Sequence, residues 1–439
     1  MHFFSIKDTS QKDFLNILLA ILPLSFVAGN MIININVILF ILISFFFFRQ
    51  DVFKIKYHFI DKIVFVYFLF IVFTSLYNHF FYDLDGVEKH LANPIKSILF
   101  LKYFLLYIVL RYLIEKNLIN LKLFFTFSFF ASIFVCFDIF FQFFVGKDIF
   151  GFEIIGDGRK LSGPFGDELI AGGFIQRFSL FSFFVIPLFY RKYLFNRFFK
   201  YTIPLLFLIF LFGIILSGNR MPMILFVFVT FLIVLFHKQT RKFLIPFFLV
   251  FLLSIFTLYN FNSDVRTNLK NFNKQITQMK TLVINKEFNN LNNTTYLREF
   301  SSFYETWLLN RYIGGGIKNF RFYCHHRENI EKNSKFICNM HPHNYYLEIL
   351  TETGLIGLII VLIIFFSIFY QSFCKKYFFN SSLQNNNLII PFIFLFFAEI
   401  FPLKSTGSFF TTGNSTYLFL IIGILVGLIL KDNQIEKKV

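Results

Sequence analysis

Apolar stretches long enough to cross a bilayer recur from one end of the chain to the other, parted by short polar segments. No charged residue occurs from Phe14 to Phe48. As a single helix that run would reach roughly 50 Å, well past a hydrocarbon core of about 30 Å, so it must fold back, and Gly29-Asn30 is the natural turn. Continued along the chain, the pattern predicts about twelve spans. They fall near 14–29, 31–48, 62–78, 95–114, 121–145, 170–190, 201–218, 221–236, 243–260, 353–370, 388–404 and 416–430.

The longest polar segment, residues 260–343, has a periodicity of its own. Val265, Leu269, Phe272, Ile276 and Met279 follow helical spacing, as do Tyr296, Phe300, Phe303 and Trp307, which predicts two amphipathic helices across the mouth of the bundle. A turn at Gly314-Gly315-Gly316 follows them. The expected class is therefore all-α, a polytopic transmembrane bundle. Its spans lie in 1–259 and 344–439, on either side of the large helical loop.

Composition agrees with this pattern. With 56% hydrophobic residues, 15% charged and 76 Phe, the chain does not describe a soluble core, and the Phe excess suits lipid-facing positions. The net charge of +17 would suit nucleic acid, but half of the 42 basic residues lie in the N-terminus, 49–62, 111–122, 191–200, 237–242, 371–387 and 431–439. Basic residues gathered between spans mark cytoplasmic segments. Both termini are then expected inside and the 260–343 loop in the periplasm, with membrane lipid rather than nucleic acid as the partner of the charge. No phosphate-binding Gly-rich loop ending in Lys is present, so neither ATP nor another cofactor is implied.

Five ionisable residues, Lys102, Asp138, Arg177, Arg220 and Glu399, fall within or beside the outer halves of predicted spans. Such groups are costly in lipid and face a bundle interior or a polar cavity. Their shared depth suggests a chamber open to the outside whose cations suit an anionic headgroup. In the loop, Cys324 and Cys338 share an oxidising compartment, so a disulfide is plausible. The alternative is a zinc site from those two with His325, His326 and His341, although the spacing matches no compact zinc module.

The segment His341-Pro342-His343-Asn344 to Gly354-Leu355-Ile356-Gly357 leads straight into an apolar span. A His at a helix entry is more often structural than catalytic, and Gly354 and Gly357 permit close helix approach. Yet His-Asn followed after nine residues by Gly-x-x-Gly resembles the signature of the O-antigen ligase and O-antigen polymerase superfamily. Ser217 to Arg220, Asn310 to Phe320 and Gly163 to Gly166 resemble further family segments, and Arg298 sits where these ligases carry a second Arg. The likeness covers about residues 160–430; the family's Pro before the Gly-x-Gly segment is replaced by Tyr312 and Ile313.

The resemblance implies a large membrane glycosyltransferase-like fold and a metal-independent, inverting transfer at the periplasmic face of the inner membrane. The donor would be a glycan on undecaprenyl pyrophosphate and the acceptor a lipid A-core sugar hydroxyl. In that scheme His343 activates the acceptor, Arg220 and Arg298 hold the pyrophosphate, and Asn344, Arg177 and Lys102 support them. Glu348 and Glu352 stand outside the catalytic set. A polymerase or a protein O-oligosaccharyltransferase would share the donor site. A flippase of the lipid-linked glycan would need polar residues through both halves of the membrane, and no broken-helix repeat is visible.

Overall fold

The computed structural model describes residues 4–81, 92–154, 160–189, 199–236, 244–284, 295–326, 338, 342–378 and 388–436. The helices are α1 (Phe4–Ala28), α2 (Asn30–Phe48), α3 (Phe59–Phe80), α4 (Ala92–Phe100), α5 (Lys102–Glu115), α6 (Lys122–Val145), α7 (Ala171–Phe189) and α8 (Phe199–Leu216). They continue as α9 (Arg220–Phe236), α10 (Leu244–Phe261), α11 (Ser263–Ile284), α12 (Thr295–Leu309), the single turn α13 (Phe320–Tyr323), α14 (Tyr345–Phe369), α15 (Ile390–Glu399) and α16 (Thr412–Glu436). The protein is an all-α, multi-pass membrane protein, with no strand among the described residues.

Among the described residues, seven helices are long and apolar enough to cross a membrane, or eight if α10 and the bent start of α11 form one span. Three shorter apolar helices, Thr202–Leu216, Arg220–Phe236 and Ile390–Glu399, follow expected spans without reaching that length. Among the described residues the expected count of twelve spans is not confirmed. The expected span at 388–404 is instead the short helix α15, which stops at Glu399, and residues 400–411 return as a loop before α16. The motif helix expected from 344 and the span expected at 353–370 are one helix, α14, whose polar first turns are buried in protein.

At the centre lies α16, buried over most of its length against α5. Gly423 and Gly427 make the approach close: an added Cβ would stand 3.0 Å from Leu110 and 2.8 Å from Ile114. Small residues one turn apart let helix backbones meet where lipid gives no hydrophobic push. Helices α1, α6 and α7 pack against one another, with Phe26 and Phe178 edge-on to Tyr417 of α16, while α2 and α10 turn large apolar side chains such as Phe46 and Ile245 outward. At the end of the bundle opposite His343, a fully buried Arg111 ties α5 to α3. It lies 3.3 Å from Asp61 and 3.4 Å from Glu115, and donates to the Lys56 carbonyl at 2.7 Å.

Candidate functional site

His343 ends an irregular segment in left-handed backbone, φ 52°, and α14 starts two residues later. Asn344 caps that helix, its side-chain oxygen accepting from the amides of Tyr346 and Leu347 at 3.0 and 3.1 Å. The same side chain donates to the carbonyls of Pro402 at 2.9 Å and Lys404 at 3.3 Å. Tyr346 bonds the Ile400 carbonyl. Glu348 accepts from Ser408 Oγ and the Phe409 amide, each at 2.5 Å, with Lys318 Nζ at 3.7 Å. The first turn of α14 is therefore fastened by side chains to the 400–411 loop, and the partly exposed His343 stands at the edge of that seam.

Beneath the seam lies a charged cluster centred on Glu399. Arg177 from α7 grips the carboxylate at two points, Nη2 to Oε1 at 2.7 Å and Nε to Oε2 at 3.3 Å. Lys404 Nζ is 2.7 Å from Oε1, and Tyr345 donates to the same oxygen at 2.5 Å. Arg177 also donates to Asn414 at 2.6 Å and stacks over Tyr417, while Lys404 lies 4.4 Å above the Tyr345 ring. Burial pulls Lys404 down to about 8, with the Arg177 charge acting in the same direction and Glu399 opposing.

The Gly-rich turn completes the other side of α14. Gly354 leaves helical geometry at φ 65°, ψ −172°, so its neighbours cannot bond along the helix. Residues 311–316 supply the missing partners. The amides of Leu355 and Ile356 donate to the carbonyls of Arg311 and Tyr312, at 2.9 and 3.2 Å, and those of Gly315 and Gly316 donate to the carbonyls of Thr351 and Glu352, at 3.1 and 2.8 Å. Asn78 of α3 donates to the Gly314 carbonyl at 2.8 Å and holds the turn from behind. Cys324 and Cys338 form a disulfide with Cα atoms 5.7 Å apart, in the segment between this turn and His343. With both sulfurs so engaged, the alternative zinc set loses its thiolates; His341 lies outside the described residues.

The five charges first read as one chamber do not gather as a group. Arg177 and Glu399 meet directly. Lys102 instead bonds Asn34 of α2, and Asp138 accepts from the Ile149 amide at 2.8 Å, shaping the turn after α6. Arg220 opens α9 beside an apolar pocket lined by Met223, Val265, Leu269 and Phe272, its guanidinium 5.9 Å from the Phe272 ring. The Ser217 to Arg220 turn is clasped to the start of α7, where Asn219 accepts from the Gly172 amide at 3.1 Å and donates to the Leu169 carbonyl at 3.2 Å. In the Gly163–Phe165 turn, the Gly163 amide donates to Gln142 at 2.9 Å. Arg298 belongs to α12, but its side chain lies outside what the structure describes. Gly357 packs against Thr353 of its own helix and Phe70 of α3.

Sequence reasoning missed Lys404, Tyr345 and Asn414. Lys404 carried a signal, since a Lys just after Pro402 at the end of an apolar run marks a chain turning in protein.

Fold and site together define a polytopic membrane protein with a buried ionic cluster and a histidine-bearing helix entry at one end of its bundle. Residues 205–362 match the family described as O-antigen ligase. That stretch holds Arg220, Arg298, Gly314, His343, Asn344, Gly354 and Gly357, and ends before Glu399 and Lys404. No curated protein matches the chain.

Proposed function

We propose that the protein transfers a glycan from undecaprenyl pyrophosphate to a sugar hydroxyl of a lipid A-core acceptor, at the periplasmic face of the bacterial inner membrane. The observation that carries this reading is the family match over 205–362, because it contains the His343-Asn344 pair and both proposed pyrophosphate ligands. The fastening of the His343 helix entry to a loop beside buried cations supports it further.

In this reading the acceptor oxygen attacks the anomeric carbon of the donor while His343 takes the hydroxyl proton. The bond from that carbon to the pyrophosphate breaks, and the carrier departs with the electron pair, with inversion and without a metal. Arg220 and Arg298 stabilise the charge that grows on the leaving group through directed N–H donors. Lys102 is bonded to Asn34, and its supporting role is correspondingly indirect.

The test uses purified protein in a bilayer with a defined lipid-linked oligosaccharide and lipid A core. Product on the core supports ligation. Longer product on the carrier would make the protein a polymerase, product on an added polypeptide an oligosaccharyltransferase, and no product under any condition would remove the transferase reading.

A further inference from the structure

Two cations share one carboxylate in this molecule. Arg177 and Lys404 both bond Glu399, and all three are largely withdrawn from solvent, so the trio carries a net charge of +1. Of the five N–H donors of Arg177, one is given to Glu399 from Nε, and the pair on Nη2 goes to Glu399 and Asn414. Of the three on Lys404, two go to Glu399 and Tyr345. The Nη1 group of Arg177 enters none of these bonds, and the Arg177 side chain keeps 14% of its surface open to solvent, which leaves the cluster reachable at that point. Surplus positive charge held largely out of water is costly, and an anion at the open side of the cluster would offset it.

Its position says which anion. In an inverting transfer the nucleophile enters opposite the leaving group, so the histidine that takes the acceptor's proton and the pyrophosphate stand on opposite sides of the donor sugar. The cation pair is tied to the helix entry that bears the histidine: Tyr345, two residues after His343, bonds both Glu399 and Lys404, and the Lys404 carbonyl accepts from Asn344. We propose that Arg177 and Lys404 form an anion subsite for the acceptor, which is therefore a saccharide bearing a phosphoryl or carboxylate group near the hydroxyl to be glycosylated. This rests on the transferase reading and adds to it a class of acceptor. A neutral hydroxyl of a polypeptide would leave the surplus charge unmet.

The experiment measures acceptor and donor KM separately, with full-length protein in nanodiscs and three forms of one core saccharide: intact, dephosphorylated and carboxyl-reduced. Wild type is expected to lose on the order of tenfold in acceptor KM with at least one of the modified forms, as for loss of a charged hydrogen bond. Lys404→Met and Arg177→Met should raise KM for the intact acceptor by a similar factor and no longer tell the forms apart. Each leaves a neutral pair on Glu399, so folding should survive, and Lys404→Arg should keep the discrimination. A rise in donor KM with acceptor KM unmoved would assign the pair to the donor and overturn the proposal, as would wild type that treats all three forms alike. Failure of wild type to turn over any acceptor would instead remove the transferase reading, and the subsite with it.

Discussion

Gly314 and Gly354 interlock without room for a side chain on either. A Cβ on Gly314 would stand 2.4 Å from the Gly354 amide nitrogen, and one on Gly354 would stand 2.2 Å from the Tyr312 carbonyl oxygen. Both have positive φ, 79° and 65°. The obstructing atoms are backbone on both sides, so neither can swing away.

From this, Gly354→Ala should destabilise severely, by more than the roughly 1 to 3 kcal/mol that its Gly-only backbone region costs an L-residue. Gly146→Ala is the control, because Gly146 has φ 86° but nothing within 4 Å of an added Cβ. Thermal unfolding in detergent should show a small loss for Gly146→Ala and a large one for Gly354→Ala. Equal losses would mean that the interlock adds nothing to backbone strain.

For the proposed reaction, His343→Ala should abolish transfer while donor affinity stays near wild type, since the imidazole acts on the acceptor. Arg220→Lys should lose much of the activity, because an ammonium cannot reproduce a planar two-pronged contact. Removal of Arg220 or Arg298 should weaken donor binding by about 1 to 3 kcal/mol each. Transfer assays paired with donor titrations at matched protein levels check both parts. Wild-type turnover by His343→Ala would end its assignment.

The acceptor subsite should depend on pH. Burial brings Lys404 to about 8, so its charge is nearly complete well below that value and fades as pH rises through it. An anionic acceptor favours the charged form, so binding above pH 8 must take up a proton and acceptor KM should climb there. Lys404→Arg should flatten the rise, since guanidinium stays charged across the range. A profile identical in wild type and Lys404→Arg would place the titration elsewhere.

Replacing Cys324 and Cys338 together by Ser should cost about 3 kcal/mol for a loop of this size. The more telling readout is turnover, because the closed segment leads into His343. Reductant added to wild type should mimic the double variant, seen as a lower melting temperature and a lower kcat. No change in either would leave the disulfide without mechanical effect on the site.

Much of the architecture was legible in the sequence because hydrophobic runs and helical spacing are local signals. The two amphipathic helices of the 260–343 loop and the turn at Gly29 follow from such patterns alone. What stayed hidden depends on pairing at a distance. Glu399 reads as an isolated charge until Arg177, 222 residues earlier, is placed against it. Lys404 reads as the last residue of a span until Asn344 fastens the loop that bears it. The polar first turns of α14 were legible as a helix entry, but their fastening to the 400–411 loop was not, since that pairing spans some sixty residues.

The exchange of bonds between residues 311–316 and the break in α14 also bears on how the chain enters the membrane. A helix broken at Gly354 would offer the carbonyls of Thr351 and Glu352 and the amides of Leu355 and Ile356 to hydrocarbon, where each unmet group costs several kcal/mol. Their partners come earlier in the chain, so synthesis delivers the complement before the break. Residues 311–316 are thus at hand to close the break as α14 forms, which spares the helix an open fracture in lipid.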